Sequence, residues 1–258
     1  MYNRYLLDKI LPILKKENKK ISNKIQFFSK SKNSFDPVTK FDLTIEKKIK
    51  KQVLKDFPDH NFFGEELKSN YNNSDTSWVV DPMDGTKALL CGQPTWSNLI
   101  GIKFKKQMIN SFAFFPELNK IYFTKKNKSY LLKNSKAKTI KCSKVRKISE
   151  AKLVTNSIHT LYKKNMISFL KKYKNFFKIT GNDSYNFCLM AEGKIDIIIE
   201  AGLKKVDILP LIKLLKNSGA IITDWNGKNN ISKGDIIVSS NNILHDKILK
   251  LIKLKKII

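Results

Sequence analysis

Residues 78–92, "WVVDPMDGTKALLCG", place two aspartates three residues apart, directly after an apolar run that is typical of a buried strand. Neighbouring carboxylates repel each other, so this arrangement costs stability unless a cation, a partner or a proton offsets it. Pro82 fixes its own φ and restricts Asp81, so the strand should end in a stiff turn from which both carboxylates converge on adjacent ions. An Asx turn with a helix N-cap would explain Asp84, but it would leave Asp81 unexplained.

The residues around the second aspartate offer further polar groups. The backbone carbonyl of Met83 lies between the two carboxylates as a third oxygen. Gly85 and Thr86 can present free N–H groups at the start of a short helix, which is a natural seat for a phosphate group. One turn therefore combines candidate cation sites with a candidate anion seat.

The formal net charge of +28 would ordinarily suggest a nucleic-acid or membrane-surface partner. However, Arg4 and Arg146 are the only arginines, and the lysines are scattered along all 258 residues beside abundant asparagine and isoleucine. This distribution indicates an AT-rich genome, because a dedicated nucleic-acid site more often uses the bidentate fork of arginine. We expect neither nucleic acid nor a membrane as a partner, although a positive field would speed the arrival of an anionic substrate.

The chain also lacks the features of an exported or membrane protein. No apolar run approaches the ~18 residues needed to span a bilayer. The stretch "MYNRYLLDKILPILKKENKK" (1–20) predicts an amphipathic helix rather than an export signal. Cys91, Cys142 and Cys188 are odd in number and widely spaced, which argues against a disulfide framework and a zinc site. We expect a cytoplasmic protein.

The periodicity predicts two halves with different organisation. Residues 1–30 and 42–57 show helical spacing, and four strands should follow: "SWVVD", "SNLIGIKF", "NSFAFFP" and "KIYFTKK". The polar, basic stretch 133–154 is the best candidate for a boundary. The sequence thus predicts an α+β domain over 1–135 that carries most metal ligands, and an α/β domain over 136–258.

The second half alternates predicted strands and helices. Helical patterns cover 161–173, 184–193 and 206–218, and Gly219 should end the last of these. Strand patterns lie at "KLVTNS", "IDIIIEAG", "AIITDWNG" and "IIVSS", before a final basic helix. This alternation is typical of an α/β unit.

Acidic residues number 22 against 50 basic ones, and they form four clusters. The clusters are Asp36, Asp42 and Glu46; Glu65 and Glu66; Asp81 and Asp84; and Asp207. Three of them lie within or after apolar stretches, where an unpaired carboxylate is costly to bury. A hard divalent cation would offset that cost, and Mg²⁺ takes carboxylate, water and phosphate oxygens in octahedral geometry.

Three segments together resemble the inositol monophosphatase family, in order and spacing and over most of the chain. They are "FFGEEL" (62–67), "WVVDPMDGTKALLCGQPTW" (78–96) and "VDILPLIKLLKNSGAIITDWNG" (206–227). The resemblance implies a layered α-β-α-β-α sandwich, a homodimer, and hydrolysis of small phosphate monoesters with two or three Mg²⁺ ions per active site.

The resemblance also implies a set of metal ligands. Glu65, Asp81 and the carbonyl of Met83 would hold a first magnesium ion. Asp81, Asp84 and Asp207 would hold a second, and Glu65 would help to hold a weaker third. Paired metals can lower the pKa of a water and clamp a transferring phosphoryl group, so this assignment is chemically reasonable.

The remaining catalytic roles follow from the same resemblance. Asp42 and Thr86 would position and activate the water nucleophile, with Glu65 as a third catalytic residue. The backbone amides of Gly85 and Thr86 would bind the phosphate. The histidines, His60, His159 and His245, lie outside all four acidic clusters, so we expect them to be surface or structural residues.

Two segments, "DGTKALLCGQPTW" and "EAGLKKVDILPLI", resemble the histidinol-phosphate phosphatase branch of the family more than its inositol phosphatases. Histidinol phosphate carries a cationic amine and a partly protonated imidazole, which carboxylates would select. Asp183, near that branch's Gly-Asp-x-Tyr motif, and Glu200 are therefore candidate substrate ligands, and so is Lys87, where the branch usually has arginine. Ser97 and Val206 also depart from the branch's pattern.

Other interpretations stay open at this point. Asp183 is almost equally well explained as a helix N-cap, and Glu200 as a surface acid at a strand end. The favoured function is Mg²⁺-dependent hydrolysis of L-histidinol phosphate in histidine biosynthesis. The alternative is an inositol-1-monophosphatase or a broader small-molecule phosphatase of the same family. A basic nucleic-acid-binding protein with a degenerate phosphatase fold is a distant third.

Overall fold

Two β-sheets, separated by a pair of helices, organise the chain. The computed structural model describes residues 2–21, 25–30, 36–156, 161, 170, 173, 176–229, 231 and 234–254. The helices are α1 (Tyr2–Tyr5), a π-helical turn (Leu6–Ile10), α2 (Leu11–Asn18), α3 (Lys40–Asp56), α4 (Thr86–Leu90), α5 (Asp183–Ala191), α6 (Lys205–Ser218) and α7 (Asn242–Leu254), with a 3₁₀ turn at Ile148–Glu150.

The strands fall into a large sheet, a smaller sheet and a separate pair. The pair is β1 (Phe27–Ser29) and β2 (Pro37–Thr39), which run antiparallel. The seven strands of the large sheet, in spatial order, are β3 (Asn61–Gly64), β4 (Thr76–Asp84), β5 (Ser97–Phe104), β6 (Gln107–Phe115), β7 (Lys120–Lys125), β8 (Lys128–Lys133) and β9 (Lys136–Ile140). Only β3 and β4 run parallel; the other neighbours in this sheet are antiparallel.

The smaller sheet has five strands in the order β11-β10-β12-β14-β13. Its strands are β10 (Leu153–Thr155), β11 (Phe177–Ile179), β12 (Ile197–Glu200), β13 (Ile221–Asp224) and β14 (Ile236–Ser239). Strand β10 pairs in parallel with β11 and β12, whereas β14 pairs antiparallel with β12 and β13.

Alternation along the strands divides the core into layers, because successive side chains of a strand point to opposite faces. In β6, Phe112 and Phe114 pack with the N-terminal helices and α3, while Ala113 and Phe115 face α5 and α6. The other side of α5 and α6 packs on the smaller sheet, whose outer face contacts α7. This is the layered α-β-α-β-α sandwich that the resemblance implied.

The sequence predicted most of these elements. The helix predicted over 42–57 forms as α3, which begins with a capping box between Thr39 and Asp42. The helix predicted over 1–30 is wrong beyond Asn18, because residues 27–29 form β1. The helix predicted over 161–173 lies largely outside the described residues. Among the described residues, no helix is long and apolar enough to cross a membrane.

The division at residues 135 and 136 stays a prediction about domains. Strand β9 begins directly after it and pairs with β8, so the large sheet continues to Ile140. Helix α6, from the second half, packs on β4 to β8. The helix that carries Asp207 is therefore seated on the sheet that carries Asp81 and Asp84.

Gly101 on β5 allows α6 to approach the large sheet closely. A Cβ at this position would lie 2.7 Å from the Cα of Pro210 and 2.5 Å from the terminal methyl of Met108. The methionine methyl can move, but the backbone of α6 can yield only if the helix shifts.

We expect Gly101→Ala to lower the free energy of unfolding by about 1–3 kcal/mol, as overpacking of a core does. Urea denaturation monitored by circular dichroism measures this change. Lys103→Ala, on the same strand, is the matched control and should change the value by less than about 0.5 kcal/mol. An unchanged denaturation midpoint for Gly101→Ala would contradict the close approach.

Candidate active site

A β-bulge at the end of β4 turns both aspartates to the same face of the large sheet. Residues three apart in a regular strand point to opposite faces. Here Asp81 lies opposite Leu99 and Asp84 lies opposite Ser97, so β4 advances by one residue more than β5. Met83 accordingly packs into the core on the side of the N-terminal helices, and both carboxylates face α6.

The first turn of α6 brings a third carboxylate to the same place. Asp81, Asp84 and Asp207 each offer an oxygen, and these oxygens lie within 4.8 Å of one another. All three residues line a cavity of about 520 Å³. Six other residues with predicted roles in the site also line it: Glu65, Met83, Gly85, Thr86, Lys87 and Asp183. The structure thus brings together segments that are far apart in sequence.

The carboxylates perturb each other strongly. Burial, reinforced by the charges of Glu65, Asp84 and Asp207, raises the pKa of Asp81 well above its usual value. Burial is also the main cause that raises the pKa of Asp84 to about 6 and that of Asp207 to about 7. Three ionised carboxylates in this space are therefore unfavourable by themselves. A divalent cation with a preference for hard oxygen ligands fits this donor set.

Glu65 lies in the loop after β3 and is held by two lysines. Its Oε1 atom lies 3.0 Å from the ammonium groups of both Lys30 and Lys204. Burial would raise the pKa of Glu65, but the charges of Lys204 and Lys30 outweigh it and lower the pKa. Lys204 also pairs with Asp36 at 3.2 Å. Glu65 therefore lines the cavity as a carboxylate that already has cationic partners.

Glu46 supports the loop that carries Glu65. The carboxylate of this buried α3 residue accepts hydrogen bonds from the N–H groups of Glu66, at 2.8 Å, and Leu67, at 2.9 Å. Gly64 makes room for it, since a Cβ there would lie 1.9 Å from Glu46 Oε1. Glu46 is not among the described residues that line the cavity, so its role is to anchor the loop.

Asp42 and Thr86, predicted to act on the nucleophile, are in contact. Asp42 Oδ2 accepts hydrogen bonds from the backbone and hydroxyl of Thr39, which leaves Oδ1 facing the Thr86 hydroxyl at 3.4 Å. Thr86 Oγ1 also lies 3.1 Å from the carbonyl oxygen of Met83. Burial is the main cause that raises the pKa of Asp42, which suits a carboxylate that accepts a proton.

Gly85 provides the turn between β4 and α4. Its φ of +83° lies in the left-handed region, and a Cβ would approach Asn182 Nδ2 to 2.3 Å. Both the backbone conformation and the lack of space therefore favour glycine. The turn places Thr86 at the first position of α4, beside the aspartates.

The structure separates the two interpretations of Asp183. Asn182 is the N-cap of α5, and its Oδ1 accepts the N–H of Tyr185 at 2.8 Å. The N-cap interpretation of Asp183 is therefore wrong. Asp183 lines the cavity, its Oδ1 is shielded from solvent without a hydrogen-bond partner among the described residues, and burial raises its pKa well above the usual value.

Glu200 is not a surface acid. Its side chain is only 1% exposed, and Oε1 accepts the N–H of Asn156 at 2.7 Å. Burial, and then the charge of Asp183, raise the pKa of Glu200 well above its usual value. Glu200 is absent from the described cavity lining, although Asp183 and Asn156 are part of it. The structure thus places Glu200 behind these two residues.

The remaining candidates are Lys87 and the histidines, and they differ in whether they line the cavity. Lys87 lines the cavity and is exposed. His60 accepts a hydrogen bond from Trp78 Nε1 at 3.0 Å, and His245 contacts Thr223 at 2.9 Å. Neither histidine belongs to the described lining, in agreement with the structural role predicted for them. His159 lies outside the described residues.

Sequence reasoning missed the polar side chains at the start of β5. Asn98 donates to the carbonyl of Pro82 at 2.6 Å and accepts from Asn18 at 2.7 Å. Ser97, on the opposite face, contacts Ser184 of α5 at 2.9 Å. All four of these contacting side chains are buried. In the sequence, the signal for these contacts is the pair of polar residues that begins an otherwise apolar strand, "SNLIGIKF".

Known proteins share this sequence pattern. A model of the inositol monophosphatase family matches residues 4–256. The chain is 29% identical over 201 residues to the bifunctional phosphatase IMPL2, chloroplastic, of Arabidopsis thaliana, and it covers 57% of that protein with 76% of its own length. The chain thus spans less than two thirds of this plant relative.

Two bacterial relatives are covered more fully. A fructose-1,6-bisphosphatase/inositol-1-monophosphatase of Aquifex aeolicus is 28% identical, with 86% of this chain and 84% of that protein covered. A histidinol-phosphatase of Chlorobaculum parvum is 24% identical, with 85% and 84% covered.

A solved structure supports the fold independently. The IMPase of Thermotoga maritima has a TM-score of 0.84 against this chain, at 23% identity and with 100% of both chains covered. The layered sandwich, the clustered aspartates and the match along nearly the whole sequence agree with one another. The chain therefore belongs to the inositol monophosphatase family, whose members are phosphatases.

Proposed function

We propose that this protein is a Mg²⁺-dependent phosphate monoester hydrolase that converts L-histidinol phosphate and water to L-histidinol and phosphate, in histidine biosynthesis. The observation that carries the proposal is a single cavity lined by the Asp81, Asp84 and Asp207 cluster and also by Asp183. The cluster suits a divalent cation, and Asp183 suits a cationic substrate.

The aspartate cluster would hold the magnesium ions. The carbonyl of Met83 and the carboxylate of Glu65 would be further oxygen ligands. When bound, magnesium supplies Lewis-acid chemistry, which lowers the pKa of a water and stabilises charge on the phosphoryl group and the leaving oxygen. The high pKa values of the aspartates in the metal-free protein mean that metal binding must release protons.

Asp42 and Thr86 would orient the attacking water. The Thr86 hydroxyl can donate its hydrogen to Asp42 Oδ1 while its oxygen accepts a hydrogen from the water. Asp42 is only 1% exposed and its other oxygen is fixed by Thr39, so Oδ1 is suitably placed to take up the proton. The amides at Gly85 and Thr86 would bind the phosphate oxygens, and Lys87 would add positive charge at the cavity.

The substrate end of the cavity would select a cation. Asp183 lines the cavity and burial raises its pKa well above the usual value, so an ammonium or imidazolium group beside it would favour its ionised form. Glu200 lies behind it, held by Asn156, and its raised pKa favours the neutral form, so the charge that selects a cation would come from Asp183. Sugar phosphates and inositol phosphate bring hydroxyl groups and no such cation.

An inositol-1-monophosphatase or a broader small-molecule phosphatase is the second candidate. It is favoured by the higher identity of the Aquifex aeolicus protein, 28%, compared with 24% for the Chlorobaculum parvum histidinol-phosphatase. The charge of +28 keeps nucleic-acid binding as a distant alternative. A homodimer and a cytoplasmic location stay predictions.

Removal of one metal ligand should abolish activity. We expect Asp81→Asn and Asp207→Asn each to lower kcat by more than about a hundredfold, since even outer-shell partners of metals are worth 10–100-fold. The rise in melting temperature on addition of Mg²⁺ should also disappear. Asp59→Asn, which removes the same charge at an exposed position, is the control. Wild-type rates in either ligand variant would contradict the metal assignment.

The stability of the metal-free protein should fall as pH rises. Asp84 and Asp207 have folded-state pKa values of about 6 and about 7, against an ordinary value of 3.8. A raised folded-state pKa contributes stability that is complete below the ordinary pKa and is lost as pH rises through the folded-state value. Melting temperatures in EDTA should therefore decrease between about pH 4 and about pH 7, and the rise caused by Mg²⁺ should be larger at about pH 8 than at about pH 5. A Mg²⁺ effect that is independent of pH would contradict this coupling.

Substrate choice should depend on Asp183. The test measures phosphate release from histidinol phosphate, inositol 1-phosphate, adenosine 3′,5′-bisphosphate and fructose 1,6-bisphosphate. Wild type should prefer histidinol phosphate. Asp183→Asn should lower kcat/KM for it about tenfold, equivalent to ~1.4 kcal/mol, and leave the rate with inositol 1-phosphate nearly unchanged.

The other outcomes of this experiment favour the alternatives. Much faster turnover of inositol 1-phosphate by the wild-type protein would favour the second candidate. Salt-sensitive binding of DNA or RNA, without metal-dependent turnover of any ester, would favour the nucleic-acid alternative.

A further inference from the structure

Two buried hydroxyl groups form a chain that ends on Asp84. Ser184 donates a short hydrogen bond to Asp84 Oδ2, and its Oγ lies 2.9 Å from Ser97 Oγ. Both serines are 0% exposed. Ser97 is also the direct cross-strand neighbour of Asp84, so the side chains of these two residues lie on one face of the large sheet.

Hydrogen-bonding capacity fixes the direction of this chain. A hydroxyl has one hydrogen to donate and two lone pairs that accept. The Ser184 hydrogen goes to Asp84, because its other neighbour, Asn182 Oδ1, is a neutral acceptor at 3.2 Å that already receives the N–H of Tyr185. Ser184 must therefore accept from Ser97. The order is Ser97 to Ser184 to Asp84.

We propose that Ser97 and Ser184 are positioning residues that hold the carboxylate of Asp84 in its metal-binding orientation and thereby set the affinity of the cation site. The inference rests on the metal dependence in the proposed function and is independent of the substrate. Ser184 acts on Asp84 directly, and Ser97 acts through Ser184.

The chemistry of a hydroxyl suits this role. Lys30 and Lys204 satisfy Glu65 with positive charge, which a metal ion would have to displace before this carboxylate could serve as a ligand. A serine hydroxyl orients a carboxylate and leaves its full negative charge for the metal. Asp84, a member of the three-aspartate cluster, is thus held by the neutral hydroxyl of Ser184.

The chain also joins separate layers of the fold. Asp84 and Ser97 belong to the large sheet, whereas Ser184 lies in the first turn of α5, directly after Asp183. Movement of α5 at Asp183 would therefore shift Ser184 and with it the carboxylate of Asp84. The serine pair links the proposed substrate ligand to the metal cluster by covalent and hydrogen bonds.

The test measures Mn²⁺ binding to the metal-free protein by isothermal titration calorimetry, without substrate. Ser184→Ala should weaken Mn²⁺ binding by about 10-fold or more, the range for outer-shell partners of metals. Ser97→Ala should weaken it by a smaller factor. The double variant should match Ser184→Ala alone, because the hydroxyl of Ser97 contacts that of Ser184 and acts on Asp84 through it.

Ser239→Ala is the matched control, since Ser239 is a 0% exposed serine in the smaller sheet whose hydroxyl contacts His245 at 3.1 Å. It should lower the melting temperature and leave the Mn²⁺ dissociation constant unchanged. Ser184→Thr retains the hydroxyl and should retain more of the affinity than Ser184→Ala.

Two results would overturn the inference, and they are distinguishable. Unchanged Mn²⁺ affinity in Ser184→Ala, with a fall in melting temperature like that of Ser239→Ala, would mean that the serines only stabilise the fold. Absence of Mn²⁺ and Mg²⁺ binding by the wild-type protein would overturn the metal dependence itself, and this inference with it.

Discussion

Crowding of negative charge in a buried space is the constraint on which the site depends. Three aspartate oxygens lie within 4.8 Å of one another, on a strand end and a helix start that are more than a hundred residues apart in sequence. Isolated buried carboxylates would be protonated or expelled to solvent. The surrounding structure has to hold them together until a cation arrives, and the contacts that support the cavity serve that purpose.

Those contacts come from the large sheet and from helices on both of its faces. Asn98 fixes the turn at Pro82, Glu46 anchors the loop of Glu65, and Ser184 holds Asp84. Helix α6 brings Asp207 to the sheet, and its close approach requires Gly101. The fold therefore positions the three clustered aspartates by tight packing and neutral donors, whereas Lys30 and Lys204 pair with Glu65, Glu66 and Asp36.

The sequence predicted the members of the site better than their supports. Its local motifs identified Asp81, Asp84 and Asp207, because acids beside apolar runs need a chemical reason. Glu46 was recognised as part of an acidic cluster, but its partners lie about twenty residues away in a loop whose path depends on tertiary packing. Ser97 and Ser184 carry no charge and resemble ordinary strand and helix residues, so only the structure reveals their contact.

One alternative that the structure excludes and one wrong prediction have similar physical causes. Aspartate and asparagine are both favourable N-cap residues, so residue type does not distinguish Asp183 from Asn182. The helix begins at Asp183, which makes Asn182 the N-cap. Residues 27–29, Phe-Phe-Ser, continue the apolar positions of the preceding helix, yet pairing with β2 makes them a strand. In both cases the competing states have similar local energies, and contacts distant in sequence determine the result.

The bulge in β4 has a consequence for how this strand can vary. Pro82 and Met83 separate the carboxylates of Asp81 and Asp84. The bulge at these two residues turns Asp84 to the same side of the sheet as Asp81. Loss of this bulge, with the three-residue spacing kept, would restore ordinary alternation and turn the carboxylate of Asp84 toward the apolar core beneath the N-terminal helices. Evolutionary change in this turn is thus limited to substitutions that preserve the bulge, because this irregularity of the strand is itself part of the active site.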